Sequence, residues 1–110
     1  MELEQPPTPN CARGYYAEGV LHLMSGKWKG MILYELLKDG SVRFATLQRQ
    51  IPKVTSRMLT MQLRELENDG LVDRTVFAEV PPKVVYRLTP RGGSLKPIIL
   101  AMEQWGKENI

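Results

Sequence analysis

The period of the hydrophobic pattern changes sharply at Gly70 and changes back at Thr89. Before Gly70, apolar residues recur at helical spacing. After it, Leu71-Val72-Asp73-Arg74-Thr75-Val76-Phe77 is short, β-branched and partly alternating, and Val84-Val85-Tyr86-Arg87-Leu88 is a second such run. Both read as strands. The prolines of Ala78-Glu79-Val80-Pro81-Pro82-Lys83 oppose continued pairing and predict a protruding loop between them. Thr89-Pro90 joins an N-cap residue to a proline at the first helical position, so a helix resumes there. A chain of 110 residues holds one small domain. One hairpin set among helices makes that domain mainly α with a small β-hairpin.

Four helices are expected before the hairpin. Tyr16, Val20, Leu23 and Met24 predict the first, over residues 12–24, broken by Ser25-Gly26. Trp28, Met31, Ile32, Leu36 and Leu37 form the apolar stripe of a second, over 27–38, which Gly40 ends. Phe44, Leu47 and Ile51 give a short third helix stopped by Pro52. Thr55 is a good N-cap for a fourth over 56–69, with Leu59, Leu63 and Leu66 on its apolar line and Gly70 just past its end. After the hairpin, Leu95, Ile98, Ile99, Met102 and Trp105 line a last helix, with a break expected near Pro97. A very short strand near Ser41-Val42 could complete the sheet. Residues 1–10, with three prolines and little to bury, read as a flexible tail, and residues 11–110 as a single domain.

Charge is distributed unevenly over this frame. The net charge is only +3, yet residues 40–64 carry five basic side chains (Arg43, Arg49, Lys53, Arg57, Arg64) and no acid. The next nine residues hold four acids. The basic run covers the third helix, a turn and the start of the fourth, which is a helix–turn–helix suited to phosphates and base edges. On the fourth helix Arg57, Thr60, Met61 and Arg64 fall at i, i+3, i+4 and i+7, away from the leucine line. Arginine reads guanine edges bidentately, and threonine bonds bases or touches a thymine methyl. Thr55 and Ser56 stand at the helix N-terminus, where hydroxyls and free N–H groups suit phosphate. The loop 78–83, with Lys83 and the flanking Arg74 and Arg87, reads as a wing touching the DNA backbone or minor groove. The bland alternatives are a solvated charged helix face and an ordinary hairpin loop.

Little points elsewhere. The start of the chain is acidic and proline-rich, unlike a signal peptide. No run approaches the ~18–20 apolar residues of a membrane span. Cys11 is the sole cysteine, which excludes an internal disulfide and favours a reducing compartment, so a cytoplasmic location is expected. Cys11 precedes a helix and lies beside Arg13, two features that favour thiolate, so it is a candidate sensor as well as a candidate inert thiol. His22 has no partner at metal or catalytic spacing, and no glycine-rich phosphate loop follows a strand. No enzyme, metal or cofactor is therefore expected. Aromatic and methionine residues of the first and last helices (Tyr15, Tyr16, Met24, Met102, Trp105) suit core, a dimer seam or a ligand cavity.

Several stretches together resemble the HxlR family of winged helix–turn–helix transcriptional regulators, related in fold to the MarR regulators. They are Gly26-Lys27-Trp28, Ile32-Leu33-Tyr34-Glu35-Leu36-Leu37, Arg43-Phe44-Ala45-Thr46-Leu47, residues 59–72, residues 80–89, Gly93-Ser94-Leu95 and Trp105-Gly106. The resemblance covers residues 11–106, nearly the whole chain. It implies a homodimer joined through the first and last helices, with Tyr15, Tyr16, Val20, Ile98, Ile99, Met102 and Trp105 in the interface. It also implies a palindromic operator in double-stranded DNA, with the fourth helix in the major groove. Cys11 takes the place of a cysteine that some members use to sense quinones, aldehydes or oxidants. Two departures stand out: Ala12 where the family often has proline, and Met61 where a polar residue is commoner. The rival readings are a winged-helix module that binds protein instead of DNA, and a regulator that senses a small molecule in a dimer-interface cavity.

Overall fold

The computed structural model describes residues 15–26 and 28–110. The expected tail, Cys11, the start of the first helix, the Tyr15 side chain and Lys27 lie outside the described residues. The elements are α1 (Tyr15–Met24), α2 (Lys29–Asp39), β1 (Ser41–Arg43), α3 (Phe44–Gln50), α4 (Ser56–Asn68), β2 (Val72–Phe77), β3 (Lys83–Leu88), α5 (Pro90–Gly93) and α6 (Lys96–Asn109). The three strands form an antiparallel sheet in the order β1-β3-β2. Val42 faces Tyr86 on one side of β3, and Arg74 faces Tyr86 on the other. The short strand expected near Ser41 is thus the third member of the sheet.

One core holds the helices to this sheet. Ile32, Leu33 and Leu36 of α2, Leu47 of α3, Leu59, Leu63 and Leu66 of α4, and Leu71, Val72, Tyr86, Leu95 and Ile99 are all buried. The stripe on α2 is rotated from the expected one. Leu33 is buried, while Met31 is largely exposed, because Ile32, Leu33 and Leu36 face inward and Lys29 precedes them on the same face. Ile51 and Val54 bury the two ends of the α3–α4 turn, and Lys53 bridges them in the left-handed region at φ 66°.

Helix ends follow the sequence signals. Thr55 Oγ1 accepts the Met58 N–H at 3.1 Å, capping α4. At the other end Gly70 adopts φ 75°, the Leu71 N–H reaches the Leu66 carbonyl and the Gly70 N–H reaches the Glu67 carbonyl, which is a Schellman closure. The break expected near Pro97 falls between α5 and α6, with Pro97 in the first turn of α6. Gly92 is more than a weak helix former. A Cβ there would drive into the Leu71 carbonyl oxygen, so only glycine lets α5 lie against the end of α4. Among the described residues no helix is long and apolar enough to cross a membrane.

Candidate nucleic-acid interface

Helix α4 divides into two faces. Leu59, Gln62, Leu63 and Leu66 are buried, while Arg57, Met61 and Arg64 are exposed on the outer surface and Thr60 is half-buried between them. Neither Arg57 nor Arg64 has an ion-pair partner among the described residues. Two guanidiniums one turn either side of Met61 therefore face solvent. The hydroxyl groups are more committed than the sequence implies. Thr60 Oγ1 donates to the Ser56 carbonyl at 2.8 Å, and Ser56 Oγ donates to Gln48 Oε1 at 3.1 Å. The latter bond ties α3 to α4. Thr60 and Ser56 are left to accept, and Thr55, which accepts the capping bond, keeps its own hydroxyl proton.

The approach to α4 is lined with exposed cations. Arg43 forms the N-cap of α3, Arg49 Nη2 donates to Thr46 Oγ1 at 3.3 Å, and Lys53 occupies the turn. On the wing, the Lys83 ammonium lies 4.9 Å from the centre of the Phe77 ring, a cation–π contact.

Between α4 and the sheet lie two adjoining cavities. One, of about 410 Å³, is lined by Arg43, Thr60, Arg74, Lys83 and Tyr86 among others. The other, of about 220 Å³, shares Thr60, Arg74 and Tyr86 and adds Arg64 and Glu67. The fold thus gathers four of the expected contact residues, Arg43, Thr60, Arg64 and Lys83, around Arg74 and Tyr86. Arg49, Lys53 and Arg57 do not line this cleft. Tyr86 is buried, and burial, with the Glu67 carboxylate second, pushes its phenol above its ordinary value of 10.0 against the pull of Arg74 and Arg64. It therefore stays a neutral hydroxyl.

The two acids of α4 each engage a cation from another element. Glu65 takes Lys29 of α2 at 2.7 Å, and Glu67 reaches Arg74 of β2 at 3.6 Å on the wing side. Sequence reasoning missed Lys29, whose buried ammonium lies behind the reading face. The available signal was its spacing, at i−4 and i−7 from Leu33 and Leu36. Beside it, Gln62 Oε1 is buried without a hydrogen-bond partner among the described residues, and a Cβ on Gly26 would come within 2.8 Å of it.

Helices α1 and α6 each expose apolar side chains among charged ones. Tyr16, Leu21, Ile98, Leu100, Met102 and Trp105 are all substantially exposed, with Tyr16 and Trp105 each at 62%. Ile99, placed with the interface in the sequence reading, is buried in the core of its own chain, and Val20 packs against that core. A groove of about 530 Å³ between α2 and α6 is lined by Met31, Tyr34, Met102 and Ile110.

Residues 23–110 match the model of the family described as HxlR-like helix-turn-helix. The chain belongs to this family. As an HxlR-like protein it is a DNA-binding transcriptional regulator of the helix–turn–helix type, not an enzyme. It is similar to YdeP of Bacillus subtilis (strain 168), an uncharacterised HTH-type transcriptional regulator, at 50% identity over 86% of this chain and 73% of YdeP. It is also similar to the redox regulator HypR. Its TM-score to the reduced form is 0.81 at 50% identity, over 86% of this chain and 92% of that one. To the oxidised form the TM-score is 0.80 at 49% identity, over 86% and 97%.

Proposed function

We propose that this HxlR-like chain acts as a homodimer on a palindromic operator. Each α4 enters one of two successive major grooves about 34 Å apart, and each wing lies on the backbone. The observation that carries this reading is the partition of α4. Its buried leucine line fixes the helix, its exposed face offers Arg57, Met61 and Arg64, and its acids point to other elements. Specificity comes from Arg57, Thr60 and Arg64, whereas Arg43, Arg49, Lys53 and Lys83 supply affinity by displacing counterions. The exposed apolar residues of α1 and α6 give the dimer its seam. Exposed guanidiniums also weigh against the protein-binding module, which needs an apolar patch where this helix has arginines.

Genomic DNA fragments run against the protein in a gel shift over a salt series test the reading. Salt-sensitive, sequence-selective bands are expected. Arg57→Ala and Arg64→Ala should each lose about 1–3 kcal/mol on the selected site and relax its base preference. If both variants bound selected and random DNA as the parent does, this face of α4 would not be the reading face.

A second reading adds control by oxidation. Its support is the likeness to HypR, known in reduced and oxidised forms, together with the sole cysteine at position 11. With no second cysteine in the chain, oxidation of Cys11 links two copies or adds a small thiol. DNA affinity of Cys11→Ser with and without an oxidant or quinone is the check. A serine variant that still responds removes Cys11 from the mechanism.

A further inference from the structure

The cleft between α4 and the wing is crowded with cations and contains one acid. Arg43, Arg64, Arg74 and Lys83 line its two cavities, and Glu67 is the only carboxylate among their lining residues. We propose that this cleft seats a phosphodiester group of the bound DNA backbone, and that Glu67 stands in for that phosphate in the free protein by holding Arg74 until DNA displaces it. The inference rests on α4 being the DNA-docking helix.

Four observations carry it. The Arg74–Glu67 contact spans 3.6 Å from Nε to the carboxylate, longer than a good hydrogen bond. The two terminal amino groups of Arg74 have no hydrogen-bond partner among the described residues. The pair is also wet, with the side chains 49% and 29% exposed, so it holds weakly. A phosphate, which offers two oxygens to the guanidinium fork, makes the stronger partner. Finally, the buried Tyr86 lies opposite Arg74 in the sheet register and lines both cavities. Its neutral hydroxyl can donate to an oxyanion without adding charge.

The exchange has a purpose that a bare arginine would not serve. An unpartnered Arg74 would raise affinity for every polyanion. With Glu67 in place, the gain comes only to a backbone that reaches into the cleft, and other contacts are penalised by the acid. Glu67 thereby lowers background binding.

Titration of a random-sequence duplex over a salt series, with a double-mutant cycle, tests this. Arg74→Gln should weaken binding roughly two- to fivefold and flatten the log–log salt slope by about 0.9. Glu67→Gln should strengthen binding by a similar factor in the parent and do nothing in the Arg74→Gln background. Matched thermal melts exclude a folding effect. An equal gain from Glu67→Gln in both backgrounds would mean action at a distance and overturn the exchange, as would an unchanged slope in Arg74→Gln. Replacing chloride with inorganic phosphate at equal ionic strength separates the sources. An extra loss of duplex binding in the parent that Arg74→Gln abolishes means the DNA backbone fills the same seat, whereas phosphate that raises the melting temperature of the parent but not of Arg74→Gln, with no loss of duplex binding, assigns the cleft to a free oxyanion and overturns the proposal. A parent with no salt-sensitive binding would sink both this and the DNA-docking reading. Weakening by Arg57→Ala with an inert Arg74→Gln would sink the cleft alone.

Discussion

Removing the Glu65 carboxylate should destabilise the domain by stranding a buried cation. Lys29 is 4% exposed, and its ammonium lies 2.7 Å from Glu65. At that separation the gross attraction is about 6 kcal/mol for an effective dielectric of about 20, offset by the cost of drying the ammonium. Fully buried pairs lose about 3–5 kcal/mol when one partner is removed. The Glu65 side chain is 51% exposed, so water replaces part of what the carboxylate gave, and the expected loss for Glu65→Ala is about 2–3 kcal/mol. Lys29→Met keeps the stem and deletes the charge, so it should stay within about 1 kcal/mol of the parent. Combined with Glu65→Ala it should recover most of the loss. Urea unfolding at neutral pH and one fixed protein concentration reads all four proteins. In thermal melts the single variant should fall by roughly 10 °C. The reasoning is refuted if Glu65→Ala costs less than about 0.5 kcal/mol, or if Lys29→Met costs as much as Glu65→Ala.

Other outcomes follow from the same geometry. Gly92→Ala puts a Cβ into the Leu71 carbonyl and should lose about 1–3 kcal/mol in urea unfolding, whereas Gly93→Ala, with open space around it, should stay near the parent. Lys53→Ala should weaken all duplex sequences alike and lower the salt slope by about 1, measured by fluorescence anisotropy. If α6 forms the proposed dimer seam, Trp105→Ser should shift a sedimentation profile toward monomer, since deleting an exposed aromatic anchor removes about 2 kcal/mol of association.

Much of this fold was legible because periodicity reports which side of an element is buried. The line Leu59, Leu63 and Leu66 identified the inner face of α4, and the hairpin followed from two β-branched runs around prolines. Capping chemistry was equally readable: Thr55, Gly70 and Thr89 sit where their side chains or φ angles require. The α2 stripe was less so, because Met31 and Leu33 are both apolar and the choice between them depends on what packs alongside. Contacts between elements far apart in sequence left no periodic trace. Nothing local marks Glu65 for Lys29, Glu67 for Arg74, or Gly92 for the Leu71 carbonyl. At the interface, the exposed arginines of α4 were visible as an acid-free run, while the cleft behind them was not. It is formed by β1, α4 and the hairpin meeting around Tyr86.

The junction at Thr89 bears on how far the reading parts can move independently. Thr89 Oγ1 donates to the Gly70 carbonyl at 2.6 Å and accepts the Gly92 N–H at 3.0 Å, while the Thr89 N–H reaches the Leu71 carbonyl at 3.1 Å. The exit of α4, both ends of the hairpin and the entry to α5 thus meet at one threonine. Reading helix and wing are welded at their shared base, and α6 leaves from the same weld one short helix later. In a dimer joined through α6, a small rotation at the seam swings each helix and wing as one rigid lever. The spacing between half-sites, more than the grip on either one, is then the quantity a signal at the seam would change.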